Sequence, residues 1–273
     1  MQLQFQDYTF TLLTPCFSGT ALGKHDDHAE MRIPPIHGHI RFWHRVLFGA
    51  NDCNRVWGST SGNEGQGSRV SVRFVGSVST KHADPKPTIL PHKKNPNQRG
   101  PRPALATDER FTLRLQRLVG CTGADWDHAQ RAVKLWLLLG GLGLRSNRAA
   151  GGVWPEGDWV PQTADDLKRT LQNLGLRNWA VALVGEGKRK SADELRETAS
   201  DTIQGNPHRQ IFGGIKPRHP SPTKFKVIRL NDGFCLLACA PSSQILHQAE
   251  RLLNTKPEPV RWKALGNWNY ILP

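Results

Sequence analysis

The chain has 273 residues and carries 37 Lys and Arg against 23 Asp and Glu, a net charge of +14. Its 37% hydrophobic content supplies a core, which excludes a wholly disordered chain, and the length fits one large domain or two modest ones. No run reaches the roughly 18 apolar residues of a bilayer crossing, and the opening MQLQFQDYTF has no basic segment and alternates like a strand, so neither a membrane protein nor a secreted one is expected.

Residues 2–13 place Leu3, Phe5, Thr9, Thr11 and Leu13 on one side and predict a first strand. A polar loop over 18–30 follows, with the cluster His25, Asp26, Asp27 and His28. A helix is predicted after Pro35, with Ile36, Ile40, Trp43 and Leu47 on one face. Arg41 and Arg45, four apart, share a neighbouring face. Residues 58–67 form a glycine-rich loop, and Val70, Val72 and Phe74 mark a second strand over 68–79. The pattern then collapses. Residues 81–106 hold six prolines and six Lys/Arg with few large apolar groups, which predicts an extended or disordered loop. A strand resumes over 111–118, and a helix over 127–142 buries Ala132, Trp136 and Leu139. That helix runs into a glycine-rich stretch, residues 140–152.

Beyond Trp154, Thr163 with Asp166 and Ser191 with Glu194 read as helix caps. Residues 225–230 and 234–240 flank Asn231-Asp232-Gly233 as a hairpin, and a last helix covers 242–254. Strand–helix–strand–strand–helix in the first half predicts an α+β, ferredoxin-like fold, with the second half an abridged copy. The expected domains are residues 1–153, with a basic Pro-rich loop at 80–108, and residues 154–273.

The five cysteines, at 16, 53, 121, 235 and 239, are odd in number and scattered, so no disulfide framework is expected. Cys235 and Cys239 lie in an apolar run without a second pair to complete a zinc site, and read as core residues. No metal or cofactor is expected, and a reducing cytoplasm is the natural compartment.

The positive charge is uneven. Residues 1–80 hold seven cations and six anions, residues 81–155 thirteen and five, and residues 156–273 seventeen and twelve. A polyanion would therefore touch the middle of the chain, and nine tryptophans beside the cations suit unpaired bases. The 140–152 stretch has five glycines around Arg145 and Arg148, which offers free N–H groups and guanidiniums to phosphates. It follows a helix and lacks Gly-Lys-Ser/Thr, so it is neither a dinucleotide nor a triphosphate loop. A helix C-cap and flexible turn would explain one or two of those glycines.

The blocks Thr14-Pro15-Cys16-Phe17-Ser18-Gly19, Glu30-Met31-Arg32 and Pro35-Ile36-His37-Gly38-His39-Ile40-Arg41-Phe42-Trp43-His44-Arg45 resemble the opening of the RAMP superfamily of CRISPR-associated proteins. Val56-Trp57-Gly58-Ser59 with Gly67-Ser68-Arg69-Val70, the stretch 140–152, Phe212-Gly213-Gly214 and Arg218-His219-Pro220-Ser221-Pro222 are similar to its later blocks. Phe42-Trp43 and Leu142-Gly143-Leu144-Arg145-Ser146 look most like the first-subunit family of the type III-B (Cmr) RNA-targeting complex. The resemblance implies two RRM-like domains in a non-catalytic subunit. Such a subunit holds the 3′ part of a CRISPR guide RNA and its target RNA beside other RAMP subunits in antiviral defence. The RNA-binding residues expected are Arg41, Arg45, Arg69, Gly143, Arg145, Ser146, Arg148, Gly151, Lys216, Arg218 and Lys224. The alternative is a RAMP endoribonuclease that processes guide RNA or cuts target, with His25, Asp26 and His37 as its acid–base groups.

Overall fold

The computed structural model describes residues 4–19, 28–60, 65–79, 81–91, 93, 95–185, 191–203, 208–214, 219–255, 262 and 265–273. The first half runs β1 (Phe5–Leu12), α1 (Ile33–Trp57), β2 (Val70–Phe74), β3 (Arg110–Arg117), α2 (Gly123–Leu139) and β4 (Val153–Pro155). Its antiparallel sheet has the order β2-β3-β1-β4, the ferredoxin-like arrangement. Alternation decides the faces. Tyr8, Phe10 and Leu12 of β1 point into the core with Phe111, Leu113 and Leu115 of β3, and Thr9 and Thr112 meet on the other face. Helices α1 and α2 cover the buried face, with Phe10 edge-on to Trp136 at 5.7 Å.

The second half contains α3 (Ala164–Asn173), β5 (Ala180–Val184), α4 (Ala192–Ser200), α5 (Arg209–Phe212), β6 (Lys224–Leu230), β7 (Gly233–Ala240), α6 (Ser243–Asn254) and β8 (Trp268–Leu272). Its order, β6-β7-β5-β8, repeats the first sheet. The expected abridgement therefore does not fall on the strands. It falls on the helices, where α4 and α6 have 9 and 12 residues against 25 and 17 in α1 and α2. Both predicted capping boxes are formed, Thr163 with Asp166 and Ser191 with Glu194. A third, Thr122 with Asp125, starts α2 four residues before its expected position. None of the helices described is long and apolar enough to cross a membrane, and all five cysteines are unpaired.

The glycine-rich stretch stitches the two sheets together. Gly141 pairs with Gly152, and the Leu142 amide donates to the Gly151 carbonyl, so the loop folds back on itself. Gly143, at φ +72°, packs so closely that a Cβ would lie 2.6 Å from the Phe17 carbonyl oxygen. Between these glycines the backbone pairs with β6: the Phe225 amide donates to Asn147 and the Ala149 amide to Phe225. Arg148 lies at this seam, only 5% exposed. It donates to the carbonyls of Asn147, Thr223 and Phe212 and to the Ser221 hydroxyl.

The segment 81–106, expected to lack packing, is instead an arch. Leu90 donates to Arg99, Ile89 to Gly100, Arg102 to Pro87 and Ala83 to Ala104 across it. Its base is anchored where Leu105 and Cys16 exchange backbone hydrogen bonds and Ala104, Leu105 and Ala106 are buried. Ala104, Leu105 and Ala106 are buried at that base, and Ile89 packs against the cluster of Phe17, Ala104 and Ala150.

Replacing Arg148 by Met keeps the apolar stem of the side chain but strands at least two buried carbonyls, a loss of about 2–4 kcal/mol. Urea unfolding of Arg148→Met measures it. A change below about 0.5 kcal/mol would show that the seam does not depend on this side chain.

Candidate nucleic-acid interface

Arg41, Arg69 and Arg148 are engaged by the protein itself. Arg41 donates to the Trp57 and Gly58 carbonyls and to Asn54, closing the end of α1 after its bend at Gly49. Arg69 pairs with the buried Asp125 at 2.8 Å, beside Arg55 on the other carboxylate oxygen. Arg148 is spent on the seam. Lys226, two residues after the predicted Lys224, is also buried, with its ammonium on the Leu137 carbonyl and over the Trp154 ring. Burial pushes its pKa well down. The glycines at 143 and 151 serve the backbone crossings just described.

The remaining predicted residues lie nearer the surface. Arg45 is exposed on α1. Ser146 is half-buried at the loop tip. Lys224 donates to the Asn147 side chain at 3.0 Å and lies 4.8 Å over the Phe42 ring. Desolvation, with Arg148 nearby, lowers its pKa. Arg145 differs from all of these. It holds a positive φ of 65°, and its Nε and Nη2 are buried with no hydrogen-bond partner. Desolvation and the neighbouring Arg196 pull its pKa down to about 10. Lys216 and Arg218, and likewise His25 and Asp26, lie outside the described residues.

His37 is half-buried against the Trp57 ring, with centroids 5.2 Å apart. Burial and the charge of Arg41 lower its pKa.

Two features had no signal in the sequence. The first is Arg196, in a helix that reads as solvent-facing but buries this side chain to 3% exposure; its Nε meets Asp193 and its Nη1 the Thr88 carbonyl. The second is a His44–Asp52–His128 cluster. His44 Nε2 and His128 Nδ1 lie 2.8 and 3.0 Å from one Asp52 oxygen, and Arg55 pairs with the other. Trp57 donates its indole N–H to His44 Nδ1 at 2.8 Å. Indole nitrogen is only a donor, so the His44 proton must sit on Nε2, facing Asp52. That proton occupies the position a metal ion would need, so the cluster is a hydrogen-bonded clamp between α1 and α2. Burial raises the Asp52 pKa, but the hydrogen bonds from His44, His128 and Arg55 outweigh it and hold the carboxyl at about 2. Burial dominates at His44 and lowers its pKa despite Asp52.

The arch completes the surface. Lys86, Lys93, Arg99 and Arg102 are all exposed on it, with Asp84 the one acid among its described residues. Ile89 of the arch packs with Phe17, Ala104 and Ala150, which sets it against the glycine-rich loop.

Two antiparallel sheets of the same β2-β3-β1-β4 type, joined through a glycine-rich loop, define a tandem ferredoxin-like protein. The chain belongs to the RAMP superfamily, whose profile matches residues 9–153. It is similar in structure to Cmr1 from Pyrococcus furiosus, with TM-score 0.66 and 16% identity over 98% of this chain and 99% of that one. A chain of the type III-B Cmr-beta complex, bound to cognate target RNA and AMPPnP in the presence of ssDNA, is similar at TM-score 0.56 and 10% identity, over 92% and 100%. At these identities the likeness establishes the fold, in agreement with the resemblance carried by the motifs. No curated protein sequence matches.

His37, His39 and His44 all have lowered pKa values, so the folded state binds fewer protons than the unfolded chain just below the ordinary histidine value of 6.5. Their contribution to stability is complete above about pH 6.5 and is lost as the pH falls through their folded values. The urea midpoint should drop between pH 7 and pH 5, and less so in His44→Gln. A wild-type midpoint unchanged across that interval would refute it.

Proposed function

We propose that this chain is a non-catalytic RNA-binding subunit of a type III CRISPR effector complex, built from RRM-like units at residues 1–153 and 154–273. It holds the 3′ part of a guide RNA and its target beside other RAMP subunits in the reducing cytoplasm, where five free thiols are stable. One observation carries the RNA reading: the 81–106 arch fixes five exposed cations, Lys81 (beside Glu109), Lys86, Lys93, Arg99 and Arg102, with one acid among its described residues, beside the glycine-rich loop. A cationic ridge of this kind gains affinity by displacing counterions from phosphates, independent of base identity. The family resemblance of the loop and of Phe42-Trp43 supports the assignment. Base pairing between guide and target supplies sequence specificity, as in other guided systems. Arg45, Arg145, Ser146 and Lys224 extend the RNA-facing surface on the body of the protein, and Lys216 and Arg218 are the RNA-binding residues expected from the sequence of the second half.

The test is binding of fluorescent single-stranded RNA over a range of salt concentrations. Changing Lys86, Lys93, Arg99 and Arg102 together to Gln should lower the salt slope by roughly 0.7 for each phosphate no longer neutralised, about three in all. The RNA should remain intact throughout. Cleavage that disappears in His37→Ala would replace this reading with that of an endoribonuclease, and an unchanged slope would remove the arch from the interface.

A further inference from the structure

A cleft of about 330 Å³ opens between α2 and α3, and no residue of the arch or of the glycine-rich loop lines it. That volume lies near the lower end of small-ligand sites, roughly 300–1,000 Å³. Helical spacing builds one wall: Asp127, Gln130, Arg131 and Lys134 are three or four residues apart on α2 and so share a face. Thr170 and Asn173 of α3 supply the other wall. Trp159, half-buried in the connection from β4 to α3, adds an indole. The two cations are only partly engaged by the protein. Arg131 pairs with Asp127 through Nε at 2.8 Å, so its two terminal nitrogens stand outside that ion pair. It also reaches the turn that ends α3, where a Cβ on Gly175 would lie 4.0 Å from its Nη1. Lys134 pairs with no carboxylate among the described residues, and its ammonium lies 5.2 Å from the centre of the Trp159 ring.

Each group in this cleft suits one part of a nucleotide. A guanidinium and an ammonium on the same wall suit a phosphate. An indole suits a planar base, by stacking. The amides of Gln130 and Asn173 each offer a donor and an acceptor to a base edge, and the Thr170 hydroxyl offers both to a ribose. An acidic peptide would use the cations but give the indole no planar partner. We propose that the α2–α3 cleft is a binding site for a free nucleoside monophosphate, with its base on Trp159 and its phosphate on Lys134 and Arg131. The base takes the ring face that Lys134 covers, and the flexible lysine stem carries the ammonium to the phosphate. The volume suits one nucleotide and not a strand. This site is separate from the arch and stands or falls independently of the RNA reading.

The test is isothermal titration of the full chain with AMP, and with inorganic phosphate and adenosine for comparison. AMP should bind at a single site, more tightly than phosphate or adenosine alone. Lys134→Gln and Arg131→Gln should each weaken it about tenfold, the effect of losing one charge-assisted contact. Trp159→Phe, which keeps an aromatic face, should retain most of the affinity, and Trp159→Leu should bring AMP down to the affinity of inorganic phosphate. Lys134→Gln breaks no ion pair among the described residues, so its melting temperature should match the wild type. It carries the test if Arg131→Gln fails to fold. Absence of AMP binding at millimolar concentration, equal affinities for AMP and phosphate, or an AMP affinity unchanged in Lys134→Gln overturns the site. Displacement of AMP by single-stranded RNA also overturns it, by making the cleft a part of the RNA surface. AMP that stays bound beside RNA, with RNA affinity unchanged in Lys134→Gln, supports it.

Discussion

The buried guanidinium of Arg148 is the interaction on which the arrangement of the two halves depends. A sheet presents unpaired backbone groups at each edge, and the β6 edge is closed by the 147–149 segment rather than by another strand. A backbone entering from the other half at that point leaves carbonyls facing inward, at Asn147, Thr223 and Phe212. A long side chain with several donors satisfies them from one position, whereas a lysine offers no planar fork. The cost is a desolvated cation, whose pKa falls to about 9 through burial and the neighbouring Arg145. That cost is accepted because every alternative strands more than one buried acceptor.

The seam constrains what surrounds it. Gly140, Gly143 and Gly151 are small because the loop passes close to Trp136, Phe17 and Leu142. Trp43 and Trp136 fill the first half beneath it, and the Trp43 ring meets Trp179 of the second half at 4.9 Å. One apolar cluster therefore runs from Phe10 through Trp136 to Val227 and Leu237. With close-packed tryptophans on both sides, the seam has little freedom to open. A fixed seam also fixes Arg145, three residues upstream of Arg148 and tied to it by the Arg148 amide on the Arg145 carbonyl.

Local rules made much of the fold legible. The capping boxes at Thr163 and Ser191, the turn at Asn231-Asp232-Gly233 and the strands β1, β2 and β3 are short-range signals, and all are realised, although the core face of β1 is that of Tyr8, Phe10 and Leu12, opposite to the side of Phe5, Thr9 and Thr11 that the sequence singled out. The second sheet was only half visible. Its strand Ala180–Val184 is buried on both faces and shows no alternation, and Trp268–Leu272 shows no clean alternation either. The arch was misread because composition counts residues and not their positions. Ala104, Leu105 and Ala106 are few, but they are contiguous and lie at its base.

The candidate site was legible in its residue types and illegible in their division of labour. Sequence spacing treats Arg145 and Arg148 as equivalent members of one glycine-rich loop, and hydrogen bonding separates them. Three of the four acceptors of Arg148, on Phe212, Ser221 and Thr223, are more than sixty residues away in the chain, which no local pattern encodes. The Nε and Nη2 of Arg145, on the same loop, meet no acceptor, and the charge of Arg196 on α4 bears on it. Arg41 and Arg69 look like helix and strand cations poised for a ligand, yet each serves a helix end or a buried carboxylate. The general reason is electrostatic. A strongly basic chain must spend some of its arginines on its own carbonyls and carboxylates to pack at all, and those are chosen by tertiary position. The arginines left over for a partner are then recognised by what they lack.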